Sequence, residues 1–194
     1  MLKPIGKMKR TGKGIAIGLV LVLGAAPGAA AQTVSSIGAD GAWTAYTFTE
    51  DKGKVCYVLA YPSHSEGKYT RRGEMYAIIT HRPGQGSYGT VSVAAGYPYT
   101  PGATVQVTIE ERTFTLTGED ETAWAQDGDS KDLVAAMKNG HEMTVTGVSR
   151  RGTKTVDTFS LAGFTAAHAL IDKACARGGA PTTPRAPATP RQKR

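Results

Sequence analysis

The sequence predicts a mainly β domain carrying one short helix and one C-terminal helix. Short apolar and β-branched runs recur along the middle of the chain, cut apart by Gly, Pro, Asp and Ser, which is the punctuation of an all-β domain. Several of these runs alternate apolar with polar residues, the period of a strand with one buried face. Two other stretches change to a spacing of three and four, the period of a helix.

Strands are expected at 42–49, 54–61, 74–80, 90–95, 104–110, 113–117, 142–148 and 153–161. In the fifth of these, Val105, Val107 and Ile109 fall on one face and Thr104, Gln106 and Thr108 on the other. Its neighbour is half apolar in the same way, through Phe114 and Leu116. The turn between them, Glu110-Glu111, lacks the Asn-Gly or Asp-Gly pair that favours a two-residue hairpin, so the pattern leaves that register open. Ser149-Arg150-Arg151-Gly152 is a stronger turn, because Gly152 can take the positive φ that closes a short hairpin.

The first helix is expected over 131–139. Asp129 or Ser130 would cap it, Leu133, Val134 and Met137 form its apolar face, and Gly140 ends it. The second is expected over 165–176, where Phe164, His168, Ile171 and Cys175 fall on one stripe that turns Cys175 inward.

Ahead of the domain, residues 1–31 have the parts of a cleavable secretory signal. Lys3, Lys7, Lys9, Arg10 and Lys13 make a basic start, 15–26 is an apolar run too short for a membrane-spanning helix, and Ala29-Ala30-Ala31 offers the small side chains that signal peptidase accepts. The expected cut precedes Gln32. Residues 32–41 are then expected to form a flexible lead, 42–176 the domain, and 177–194 a disordered tail containing Pro and Arg, without a large apolar residue to offset the entropy of ordering. The basic residues of the tail offer peripheral contact with a membrane or cell wall, although a solvated tail is the plainer reading.

The formal charge of +7 belongs to the two ends, because residues 32–176 carry 13 basic and 16 acidic side chains, a net −3. A nucleic-acid partner is therefore not expected, since such a domain carries its basic excess on the folded body. The two cysteines, Cys56 and Cys175, both follow the predicted cut, and in an oxidising compartment such a pair is most simply a disulfide between an early strand and the last helix. A catalytic thiol would need a His partner in an electropositive pocket, and no sequence feature points to one.

No catalytic or cofactor motif stands up. Gly84 to Gly89 matches GxGxxG, but a strand follows it where a dinucleotide site needs a helix N-terminus. The stretch from Asp127 resembles a calcium loop, yet its sixth position is Asp132 and its twelfth Lys138, where Gly and Glu belong. His64, His81, His141 and His168 are scattered and read as surface or packing residues, with no metal site and no cofactor expected. Two loops are candidates for a binding surface: one holds Arg71 and Arg72, whose guanidinium forks suit phosphate or carboxylate, and the other presents Tyr97 and Tyr99 on a Pro-stiffened turn, although solvated charge and core-capping rings are the plainer reading of both.

The ordered segments Lys54-Val55-Cys56-Tyr57, Arg82-Pro83-Gly84, Val91-Ser92-Val93 with Gly96-Tyr97-Pro98, Phe114-Thr115-Leu116, Ala123-Trp124, Leu133 to Met137, Ser149 to Asp157 and Ser160 to Phe164 running on to Cys175 resemble the invasion-associated locus B family of Gram-negative bacteria. The resemblance spans about residues 43–175. It implies an immunoglobulin-like β-sandwich, export to the periplasm or outer envelope, and an association with bacterial invasion of host cells. It offers no catalytic residues, and its two matching cysteines land on Cys56 and Cys175. The expected function is thus a non-enzymatic envelope protein that binds an envelope or host-surface component. The alternative is a secreted hydrolase acting on cell-wall or host polymer through a pocket built from distant loops.

Overall fold

The structure, a computed structural model, describes residues 33–126 and 128–176. The expected leader (1–31) and tail (177–194) lie outside those residues, as does Asp127 of the calcium-like stretch. The elements are β1 (Ser35–Asp40), β2 (Trp43–Glu50), β3 (Gly53–Ala60), β4 (His64–Gly67), β5 (Tyr76–Arg82), a 3-10 turn (Pro83–Gln85), β6 (Ser87–Ala94), β7 (Ala103–Ile109), β8 (Arg112–Glu119), β9 (Thr122–Ala125), α1 (Asp129–Asn139), β10 (Glu142–Val148), β11 (Lys154–Ser160) and α2 (Phe164–Ala174). The domain is mainly β, as the alternation requires.

All eleven strands join one antiparallel sheet in the order β1-β2-β3-β5-β6-β9-β8-β7-β10-β11-β4. Period-two alternation decides which face is buried: Val105, Val107 and Ile109 point into the core from β7, while Thr104 and Gln106 point out. The sheet rolls over so that its inner face covers itself, giving a sandwich-like body. The Trp43 indole N–H at the start of β2 donates to the Ser160 carbonyl at the end of β11, at 2.9 Å, although the two strands lie near opposite ends of the strand order. Beside it, the Ala42 N–H donates to the Ala162 carbonyl. The seam is tight enough to demand glycine. A Cβ at Gly163, which sits at φ 86, would fall 2.0 Å from the Asp40 carbonyl, and one at Gly41 would fall 2.2 Å from that of Ala162.

Trp43, Val58, Ile79, Val91, Leu116, Met143 and Phe159 fill the interior. The two helices close it. Leu133 and Met137 of α1 are fully buried, and Phe164, His168 and Ile171 of α2 are buried together with Cys175 at its C-terminal cap. Phe164 meets Trp43 edge-on, with ring centroids 4.9 Å apart. Cys56 on β3 is bonded to Cys175 just past α2, so the disulfide staples the helix to the sheet. No helix among the described residues is long and apolar enough to cross a membrane.

Two expectations are corrected, and a register left open is fixed. Residues 35–40, within the expected flexible lead, form the edge strand β1 by pairing with β2. α1 begins at Asp129 with Gly128 as its N-cap, so Asp129 and Ser130 lie inside the first turn, where neither side chain caps it. Asp129 and Asp132 instead place negative charge against the positive end of the helix dipole. The Glu110-Glu111 turn does close a two-residue hairpin between Ile109 and Arg112 without a glycine, because Glu110 itself takes φ 51.

Candidate functional site

The two loops singled out in the sequence meet in space. Residues 68–73, which precede β5, and 96–98, which follow β6, line one open cleft of about 870 Å³, and the 149–153 turn between β10 and β11 forms its third wall. Backbone bonds lock the walls together. The Gly73 N–H donates to the Gly96 carbonyl at 2.8 Å, and the Arg150 N–H to the Pro98 carbonyl at 2.9 Å. Gly96 has φ 68, and a Cβ there would sit 2.4 Å from the Gly73 carbonyl, so no other residue allows this approach.

Arg72 makes the floor, anchored by the buried Asp157 outside the lining. The guanidinium donates to both carboxylate oxygens, at 2.6 and 2.7 Å, while its Nε–H donates to the Ala95 carbonyl at 2.7 Å. It also lies over the rings of Tyr69 and Tyr97, 5.4 and 5.1 Å from their centroids. Burial favours the neutral guanidine, but the Asp157 carboxylate outweighs it and holds Arg72 more firmly charged than usual. Arg72 is thereby spent on structure. Tyr97 stands beside it, its hydroxyl paired with that of buried Thr155 at 2.8 Å. Tyr99 lies beneath the cleft, buried edge-on against Tyr97, and burial pushes its phenol well above the ordinary range. The fold therefore brings Arg71, Arg72 and Tyr97 to one cleft and withdraws Tyr99 into the core.

Four further cations rim the cleft: Lys68, Arg71, Arg150 and Arg151, all exposed. Among the described residues none of them has a carboxylate partner, and no acidic side chain lines the cleft. Of the body's 13 basic residues, five line this one feature, against none of its 16 acids. A body of net negative charge thus gathers positive potential in one concavity, an arrangement that recruits anions.

Sequence reasoning missed a second convergence. His81 on β5 and His168 on α2 both reach Asp172, with His81 Nε2 and His168 Nδ1 each 2.9 Å from a carboxylate oxygen. These three side chains line a shallower cleft of about 640 Å³ that also includes Lys138 and Cys175. The i, i+4 spacing of His168 and Asp172 was the only legible part, because His81 lies 91 residues from Asp172. The three donor groups lie within 4.8 Å of one another, near enough to share a metal ion. The hydrogen bonds assign them otherwise. His81 Nδ1 accepts the Gly89 N–H at 2.9 Å, so the proton of the neutral ring is on Nε2 and is given to Asp172. His168 donates from Nδ1 to the other oxygen, and its Nε2 is buried without a hydrogen-bond partner. Both nitrogens of His81 are engaged and the remaining nitrogen of His168 is shielded, so neither ring offers a base to a substrate. The group works as a polar clamp between sheet and helix.

Residues 43–172 match the family model described as Invasion associated locus B (IalB) protein. No curated protein and no solved structure matches the chain.

Proposed function

From the premise that this chain belongs to the invasion associated locus B family, we propose that it is an exported, non-enzymatic protein of the bacterial cell envelope that holds another envelope component in the basic cleft. In a bacterium that invades host cells the same grip would serve host contact; elsewhere it would serve envelope integrity. The observation that carries this reading is the concentration of four cations, without a carboxylate partner among the described residues, around a cleft whose walls are locked by backbone bonds. The polar clamp of His81, His168 and Asp172 lends no support to the hydrolase alternative, since both imidazoles bond the same carboxylate and their remaining nitrogens are engaged or buried. Export is supported by the signal-like residues 1–31 and by the disulfide, which suits an oxidising compartment.

Photocrosslinking in living cells tests it. A photoreactive residue at Tyr69 or Arg151 should yield a discrete adduct in the periplasmic or outer-membrane fraction, with the mature chain starting at Gln32. The same probe at Lys173, on the far helix, should yield none. Equal adducts from all three positions, or none from the cleft, would overturn the reading.

A further inference from the structure

We infer that the cleft selects a sugar carrying two phosphate groups, whether free or as the headgroup of a lipid. This rests on the reading of the cleft as the binding face and adds the chemistry of what it holds. The charge count sets the class. Lys68, Arg71, Arg150 and Arg151 present four positive charges, because Arg72 is already neutralised by Asp157. A ligand that fits about 870 Å³ must therefore concentrate about four negative charges in a small volume. Two phosphate monoesters do so at about −1.5 to −2 each. Carboxylated sugars, with one charge per ring, reach that total only over a chain of four rings, and a single inorganic phosphate leaves half the cations unmatched.

The donor geometry agrees. Three of the four rim cations are arginines, whose planar forks bond phosphate oxygens in pairs. They stand on two separate walls, Arg71 on the loop before β5 and Arg150 with Arg151 on the β10–β11 turn, so they grip two groups set apart and not one shared centre. The same lining includes Thr70, Ser149 and Thr153, whose hydroxyls suit the hydroxyls of a sugar ring.

The test is calorimetric titration of the purified full chain with glucose 1,6-bisphosphate, inorganic phosphate, trigalacturonate and maltotriose, with a parallel flotation assay on vesicles carrying a bis-phosphorylated glucosamine lipid. The bisphosphate, the vesicles or both should bind at least tenfold more tightly than inorganic phosphate, and binding should weaken as salt rises. Soluble binding indicates a free sugar, and vesicle binding alone indicates a lipid headgroup. Substituting Arg71→Gln, Arg150→Gln and Arg151→Gln together should lower the affinity at least tenfold. The charge-matched set Lys52→Gln, Lys54→Gln and Lys173→Gln should change it less than twofold, with both variants unfolding at the wild-type temperature. The inference fails if trigalacturonate or maltotriose binds as well as the bisphosphate, if inorganic phosphate matches it, or if neither bisphosphate probe binds. Cleft crosslinks that persist beside such a failure would retain the binding role and reject only the ligand class.

Discussion

Arg72 and Asp157 meet through both carboxylate oxygens across 85 residues of chain, with the carboxylate side chain only 1% exposed. The pair joins the loop before β5 to the middle of β11, and the basic cleft stands on it. Removing one partner strands the other charge in a site with little water. Asp157→Ala is therefore expected to cost about 3–5 kcal/mol in urea unfolding, while replacing both residues by apolar side chains of similar size should recover most of that loss. A cost below about 1 kcal/mol, the range of exposed pairs, would show that the floor is held by something else.

The disulfide closes a loop across a separation of 119 residues. Reduction, or the pair Cys56→Ala and Cys175→Ala, should destabilise the domain by about 2–5 kcal/mol, chiefly by restoring freedom to the unfolded chain. Guanidinium unfolding with and without reductant measures this. Equal midpoints would show that α2 needs no staple.

Acid should loosen the clamp on α2. Burial pushes the His168 pKa below its ordinary 6.5, against the pull of Asp172 and with help from the charges of Lys138 and His81. Burial also raises the Asp172 pKa, but the His81 hydrogen bond and the positive charges of His168, Lys138 and His81 outweigh it, leaving a net lowering below 3.8. Each group binds fewer protons folded than unfolded. Its contribution is thus complete above the unfolded value and lost as pH falls below it, first for His168 under about 6.5 and then for Asp172 under about 3.9. The thermal midpoint should drop between pH 7 and 5, and His168→Leu should flatten that slope. Parallel slopes in the two proteins would exclude His168 as the cause.

Among the described residues, two that are not glycine hold left-handed backbone, Glu110 at φ 51 and Asp120 at φ 48. Asp120→Gly should stabilise the domain by up to about 1 kcal/mol, because it relieves that strain. Glu110→Gly should gain less or lose, since the Glu110 carboxylate accepts the His141 backbone N–H at 3.0 Å, a bond that also holds its pKa below the usual value. Equal gains in paired denaturant titrations would dismiss the role of that bond.

Strands with a clear apolar face were legible in the sequence, as β7 and β10 show, because burial on one side writes itself into every second residue. The missed strands lack that signature. β1 offers Ile37 as its one large apolar residue, β4 reads His-Ser-Glu-Gly, and β9 is four residues long. β1 and β4 are the two sheet edges, where pairing comes from backbone bonds more than from side-chain burial. The cleft was half legible. Arg71 and Tyr97 stood out by type, but nothing local announces that the 149–153 turn joins them. The loop sequence alone leaves Tyr99 open between an exposed anchor and a core-capping ring, because the room that buries it comes from afar: side chains at Gly118 or Gly147 would strike its ring at 2.8 and 3.2 Å.

The seam between Gly41 and Gly163 sets an order of events for a chain delivered from its N-terminus. Trp43 emerges early, yet its lid, the Ser160 carbonyl and the ring of Phe164, arrives more than a hundred residues later. A nascent chain halted before α2 must keep that indole uncovered and its first sheet edge unlatched, available to chaperones and unable to close. Only the final stretch completes the structure.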